Sequence, residues 1–148
     1  YLLKQYPLLK VVEADVDMVN YLHKYYPQLE NRVISGDFLK VDLAAVFEGQ
    51  SLSLIGNFPY NISSQIVFRM IKYRDIVPEM VGMFQKEMAD RIIAKPGGKD
   101  YGVISVLAQA YYEGKTLFDV DKSCFTPAPK VQSSVIRLIR KENQGWNP

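Results

Sequence analysis

The chain has one cysteine, Cys124, among 148 residues. A lone thiol cannot close an internal disulfide, so burial and hydrogen bonding must hold the fold, and a reducing compartment fits. Also missing are an apolar run approaching the roughly 20 residues of a membrane span, a segment that reads as a signal peptide, and any internal repeat or low-complexity tract. With one histidine, His23, and one cysteine, no metal site is evident. A membrane protein, a disulfide scaffold and a solenoid are therefore poor descriptions, and a cytoplasmic globule is expected. What is present is ordinary for a soluble domain: 48% hydrophobic and 23% charged residues. The net charge of +2 is uneven. Residues 1–60 carry 5 Lys/Arg against 7 Asp/Glu (−2), and residues 61–148 carry 13 against 9 (+4). The second half thus tends toward a basic surface, which suits a polyanion but equally suits a plain solvated face.

Hydrophobic periodicity predicts strands alternating with helices. "LKVVEAD" (9–15), "RVISGDFLK" (32–40) and "SLSLIGN" (51–57) read as strands. "DVDMVNYLHKYYP" (15–27) reads as a helix with Val16, Val19, Tyr21, Leu22 and Tyr26 at near-helical spacing, stopped by Pro27. "SSQIVFRMIKYRD" (63–75) places Ile66, Val67, Met70 and Ile71 on one face, with Ser63 as its N-cap. "EMVGMFQKEM" (79–88) is a strand running into the helix "KEMADRIIAK", and "VISVLAQAYY" (103–112) is a further helix beyond the loop at 96–102. "GKTLFDV" and "SSVIRLIRK" form an antiparallel pair of late strands. The alternation predicts an α/β fold, a mostly parallel sheet with helices on both faces.

Ligands in such sheets bind at the carboxyl ends of strands. Glu13, Asp37 and Asn57 close the first three strands, so three segments are expected to converge on one cleft. A carboxylate such as Glu13 suits a ribose diol, though on that residue alone helix capping is the stronger reading. Asp15 and Asp17 read as first-turn helix residues. Asp37 either makes a turn with Gly36 or accepts from an exocyclic amine, with Phe38 beside it to cover a purine ring.

"NFPY" (57–60) resembles the loop of methyltransferases that act on the exocyclic amine of adenine. The chemistry explains the residue types. The amine's lone pair is delocalised into the ring and is a poor nucleophile. Two acceptors that bind its hydrogens let the lone pair localise toward a methyl donor. Asn57 supplies a side-chain carbonyl, the backbone near the stiff Pro59 supplies the other, and Tyr60 offers a face for an unstacked base.

"GNFPYNISSQIVFRMI", "MFQKEMADRIIAKPGGKDYGVISVLAQAYY" and "SCFTPAPKVQSSVIRLIR" together resemble the KsgA family of ribosomal RNA adenine N6-dimethyltransferases. The resemblance covers essentially all of residues 9–140. It implies a Rossmann-like sheet dependent on S-adenosylmethionine, acting on adenosines of small-subunit (16S) ribosomal RNA or its assembly intermediate, and a monomer when full-length. It assigns Glu13 to the cofactor ribose, and Asp37 with Phe38 to its adenine. Asn57, Pro59 and Tyr60 become the target-amine loop, with Asn57 also beside the cofactor. Phe125 packs on the flipped adenine opposite Tyr60, in a loop expected to be stiffened by Pro127 and Pro129. Phe58 stands where the family more often has Leu.

Lys86, in the signature Gln85-Lys86-Glu87, either reaches a phosphate or is a solvent-exposed lysine at a helix start. His23 and Trp146 read as incidental, and Cys124 as packing. The family's amino-terminal strand, its G-x-G-x-G loop and its carboxyl-terminal helical domain have no counterpart in these residues. Residues 1–148 are therefore expected to be a partial catalytic domain, inactive alone. The rivals are an Erm-type large-subunit methyltransferase, a DNA adenine methyltransferase, and a non-catalytic RNA-binding assembly factor.

Overall fold

A computed structural model describes residues 1–128 and 130–142. Pro129 and Trp146 lie outside the described residues. The chain divides into two compact units, Tyr1–Asp42 and Leu43–Pro148.

The first unit contains helix α1 (Leu2–Gln5), strand β1 (Val11–Glu13), helix α2 (Val16–Tyr25), a 3-10 turn (Pro27–Leu29) and strand β2 (Val33–Ser35). β1 and β2 pair in parallel, with Val11 opposite Val33 and Glu13 opposite Ser35. Asp15 is the N-cap of α2, its carboxylate accepting from the Asp17 and Met18 amides, so it lies one step before the expected first turn. The helix ends just ahead of Pro27, as the sequence predicts. Its inward stripe is narrower than expected: Val19 is buried, whereas Val16, Tyr21 and Tyr26 are exposed. Two strands of three residues each present too little surface to cover a full helix face.

The second unit contains α3 (Leu43–Val46), β3 (Ser53–Asn57), α4 (Ser63–Lys72), β4 (Glu79–Gln85), α5 (Lys86–Ile93), α6 (Val103–Tyr111), β5 (Tyr112–Val120) and β6 (Ser133–Arg140). Its strands form one sheet in the order β3-β4-β6-β5. β3 and β4 are parallel; β6 runs antiparallel to both β4 and β5. The expected antiparallel late pair is there. The mostly parallel sheet is not: the strands form two separate sheets, and the larger is mixed because the returning strand β6 inserts beside β4.

β4 alternates buried Met80, Gly82 and Phe84 with half-buried neighbours, as a central strand should. α4 covers the core with Ile66, Val67 and Met70. Ser63 is not its N-cap. The 3-10 turn Tyr60–Ile62 runs straight into α4, so the cap is Ile62, and the Ser63 hydroxyl instead donates to the Tyr60 carbonyl at 2.9 Å. α6 packs on α4 and α5. The Gln109 amide on α6 donates to the Ile92 and Ala94 carbonyls at 3.0 and 2.7 Å, satisfying acceptors that the end of α5 leaves open. Cys124 is exposed, so it does not serve as packing. Among the described residues no helix is long and apolar enough to cross a membrane.

Tyr112, at the start of β5, is fully buried, and its hydroxyl donates to the Val77 carbonyl at 2.7 Å. Burial pushes its phenol from 10.0 up to about 12, against the pull of Arg140 and Arg74. The folded state therefore holds this proton more tightly than the unfolded chain does. The stabilisation is complete below pH 10.0 and is lost as the pH rises toward about 12. Denaturant titrations between pH 9 and 12 are expected to show stability falling over that window, and Tyr112→Phe is expected to remove part of the slope.

Candidate active site

At one rim of the larger sheet lie the carboxyl ends of β3, β4 and β5 and the amino end of β6. The register fixes this: Asn57 is opposite Met83, and Ser133 is opposite both Gln85 and Val120. Asn57 is the last residue of β3 and is exposed. Among the described residues no hydrogen bond engages its side chain, which leaves both its amide groups available to a ligand.

Phe58 turns the opposite way and is buried. Its ring lies over a bare patch of sheet made by Gly56 and Gly82, which face each other across β3 and β4. A Cβ at either glycine would stand 2.5 Å from a ring carbon of Phe58. The ring also packs on Phe84 at 5.3 Å between centroids. Two strand glycines thus exist here to let an aromatic ring approach the backbone. The Phe58 amide donates to the Met83 carbonyl at 3.3 Å, extending the β3–β4 ladder by one bond.

Pro59 and the 3-10 turn Tyr60–Ile62 then carry the chain into α4. The Pro59 carbonyl accepts one long bond, 3.3 Å from the Ile62 amide; a carbonyl has a second lone pair to offer. Tyr60 is half-buried, and its hydroxyl is 2.7 Å from the Ser133 Oγ on β6. Its side chain therefore spans the end of β4.

Phe125 is half-buried in the loop joining β5 to β6 across the same rim. The loop opens with a 3-10 turn, Lys122–Cys124, in which the Asp121 carboxylate accepts from the Ser123 amide at 2.8 Å. Bonds to the Ser123 amide and hydroxyl hold that carboxyl below its ordinary value.

Lys86 opens α5 with its side chain still partly exposed, as one of its two expected readings has it, but it is also paired. Its ammonium sits 3.6 Å from Asp90 Oδ1 and 3.6 Å from Asp119 Oδ2, so two carboxylates balance its charge. Asp119 Oδ1 in turn accepts from the Ser134 hydroxyl at 2.8 Å. Lys86, Asp90, Gln85 and Lys99 border a cleft of about 420 Å³ at this rim.

In the first unit, Glu13 ends β1 and Asp37 lies two residues beyond the end of β2. Glu13 Oε1 accepts from the Asp15 amide at 3.0 Å, and Asp37 Oδ1 from the Leu39 amide at 2.9 Å. Asp37 thus makes the turn expected of it, whereas Glu13 does not cap α2: Asp15 takes that place, and Glu13 holds only the amide of the cap residue. The second oxygen of each accepts no bond among the described residues. Phe38 is half-buried beside Asp37. Two carboxylates at one parallel-strand rim, each with an oxygen to spare, suit a ligand that presents hydroxyl and amine hydrogens, as S-adenosylmethionine does. Among the described residues no cluster of three or more metal-ligating side chains occurs.

Two features of the site carried no role in the sequence reading: the Gly56–Gly82 pair and Ser133. The glycines had a signal, each lying alone within an apolar strand. Ser133 had only its place in "KVQSS".

The α/β fold is that of solved Rossmann-like methyltransferases. A dimethyladenosine transferase from Plasmodium falciparum superposes with a TM-score of 0.75 at 28% identity, over 90% of this chain and 48% of that one. The 23S rRNA methyltransferase ErmE shares the fold, with a TM-score of 0.73 at 24% identity over 88% of this chain and 51% of that one. The family model of the ribosomal RNA adenine dimethylases matches residues 2–146, and the chain belongs to that family. Relatives include proteins named ribosomal RNA small subunit methyltransferase A. That of Flavobacterium johnsoniae is 51% identical over 143 residues, 97% of this chain and 55% of the relative. That of Cytophaga hutchinsonii is 54% identical over 131 residues, 88% of this chain and 50% of the relative. The chain spans about half the length of the curated relatives it matches.

Gly82→Ala places a Cβ 2.5 Å from Phe58 and 2.8 Å from Phe84, so the Phe58 ring must leave its seat. Denaturant unfolding is expected to show a loss of about 1–3 kcal/mol, the usual cost of overpacking.

Proposed function

We propose that the protein of which this chain forms part transfers methyl groups from S-adenosylmethionine to the N6 amine of adenosines in small-subunit ribosomal RNA, giving dimethyladenosine. The observation that carries the reading is the Asn57–Tyr60 loop. It presents an exposed, unengaged amide and a half-buried aromatic side by side, on a loop pinned from beneath by Phe58.

In this reading Glu13 holds the cofactor ribose through its free carboxylate oxygen, and Asp37 with Phe38 receives its adenine. The cofactor supplies a methyl group on a positively charged sulfonium, which departs neutral when an amine takes the methyl. Asn57 and the Pro59 carbonyl accept the two amine hydrogens of the target, drawing its lone pair out of conjugation, so that the nitrogen can take the methyl as the carbon–sulfur bond breaks and then give up one N–H proton to water. Tyr60 and Phe125 replace the stacking partners the base loses when it leaves its strand. Rate then comes from positioning, since a well-oriented pair of reactants avoids much of the entropic cost of meeting. Lys86, held between Asp90 and Asp119, organises the rim; a phosphate there would compete with both carboxylates.

The names of the curated relatives favour the small subunit over an Erm-type large-subunit target. The test is transfer of radiolabelled methyl groups by the intact protein to unmethylated small subunits, large subunits and duplex DNA. Label is expected as dimethyladenosine in small-subunit RNA; label confined to large-subunit RNA or DNA would overturn the reading. Phe125→Ala is expected to slow transfer about 5- to 140-fold, since one base–aromatic stack is worth about 1–3 kcal/mol and each 1.4 kcal/mol is tenfold.

A further inference from the structure

Ser133 lies at the amino end of β6, 73 residues from Tyr60 in sequence, and is fully buried. It is opposite Gln85 on one side and Val120 on the other, so its backbone is fixed by both neighbouring strands. Its Oγ sits 2.7 Å from the Tyr60 hydroxyl. The neighbouring Ser134 makes a separate bond to Asp119, at 2.8 Å. The two serines therefore bind different partners.

We infer that Ser133 is a positioning residue for the methylation reaction: its hydroxyl tethers Tyr60 by the phenol tip and fixes the plane of the ring on which the target adenine lies. A tyrosine side chain has two soft torsions, and a ring attached only at its Cβ end can swing about both. Tyr60 is attached at both ends. Its Cα end is held by the Phe58 seat two residues earlier and by the Ser63 hydroxyl on its own carbonyl. Its far end is held by Ser133. Because Ser133 is part of the sheet and Tyr60 is part of the loop, the bond locks the loop to the rim. A stacked base then meets a face already in place, and its amine meets Asn57 without a search over ring orientations. The hydroxyl of Tyr60 is thus spent on geometry, not on the substrate.

This inference rests on the reading of Tyr60 as a stacking face, and the experiment separates the two. In the intact protein, single-turnover methyl transfer, affinity for unmethylated small subunits and thermal midpoint are measured for six variants: Tyr60→Ala, Tyr60→Phe, Ser133→Ala, Ser133→Thr, Ser133→Ala/Tyr60→Phe and Ser133→Thr/Tyr60→Phe. Tyr60→Phe keeps the ring and Ser133→Ala keeps the tyrosine; each removes the same hydrogen bond. Each is expected to slow transfer about 3- to 10-fold, the range of a net hydrogen bond of roughly 0.5–1.5 kcal/mol, with subunit affinity changed less than twofold. The double variant Ser133→Ala/Tyr60→Phe is expected to be no slower than the slower single one, because the bond can be lost only once. Ser133→Thr is expected to restore the rate with Tyr60 present, and to restore nothing with Phe at position 60.

A purely structural serine would lower the thermal midpoint without this coupling. Additive losses in the double variant, or wild-type rates in Tyr60→Phe, would overturn the tether. Wild-type rates in Tyr60→Ala would instead overturn the stacking role on which it rests. If Ser133→Ala fails to fold, Tyr60→Phe alone decides, since its hydroxyl lies on a half-exposed residue.

Discussion

The rest of the site depends on a ring seated in a gap. Gly56 and Gly82 leave the sheet bare where β3 meets β4, and Phe58 fills the space from the loop above. Burying a phenylalanine side chain is worth about 1.5–3 kcal/mol, a large share of what a short loop needs to adopt one shape. Because residues on an extended chain alternate in direction, sending Phe58 inward sends Asn57 and Pro59 outward. The Asn57 amide is exposed because its neighbour is buried. The glycine pair supplies the room that the Phe58 ring requires.

Around that seat the rim is closed by polar ties among the target loop, α5, β5 and β6. Tyr60 reaches Ser133, Ser134 reaches Asp119, and Asp119 with Asp90 holds Lys86. The Tyr60, Ser134 and Lys86–Asp119 ties each join two segments, while Lys86 and Asp90 lie one turn apart on α5. The antiparallel return of β6 makes this possible, since it brings the start of β6 beside the end of β4. The loop carrying Phe125 leaves from the same rim, between β5 and β6. In the first unit, the parallel pairing of β1 and β2 puts Glu13 and Asp37 at one end by the same logic, each bound to the backbone through one oxygen and open through the other.

Much of this was legible in the residues. The strands at Val11–Glu13, Ser53–Asn57 and Glu79–Gln85, the late antiparallel pair and helices α2, α4, α5 and α6 were marked by periodicity, α2 also by Pro27; the short α3 was not. Local pattern carries that information because side-chain period reports local geometry. It does not report which strands become neighbours, so neither the two separate sheets nor the mixed order of the larger one could be read. The exposed side of α2 was misjudged for a related reason: an amphipathic stripe states which residues can be buried, not how much surface is there to bury them. The Lys86–Asp119 pair could not be read because the two residues lie 33 positions apart, though Asp90, four residues on, was within reach of a sequence reading. Ser133 had no visible role because a buried hydroxyl takes its meaning from its partner, and that partner lies across the sheet.

The central claim is that an unengaged amide on a pinned loop activates the target amine. The most direct measurement is the single-turnover rate of methyl transfer by the intact protein carrying Asn57→Ala, with its affinity for unmethylated small subunits measured in parallel. The account predicts a rate lower by orders of magnitude with affinity nearly intact, since Asn57 acts on the reacting amine and not on the RNA at large. An unchanged rate would contradict it.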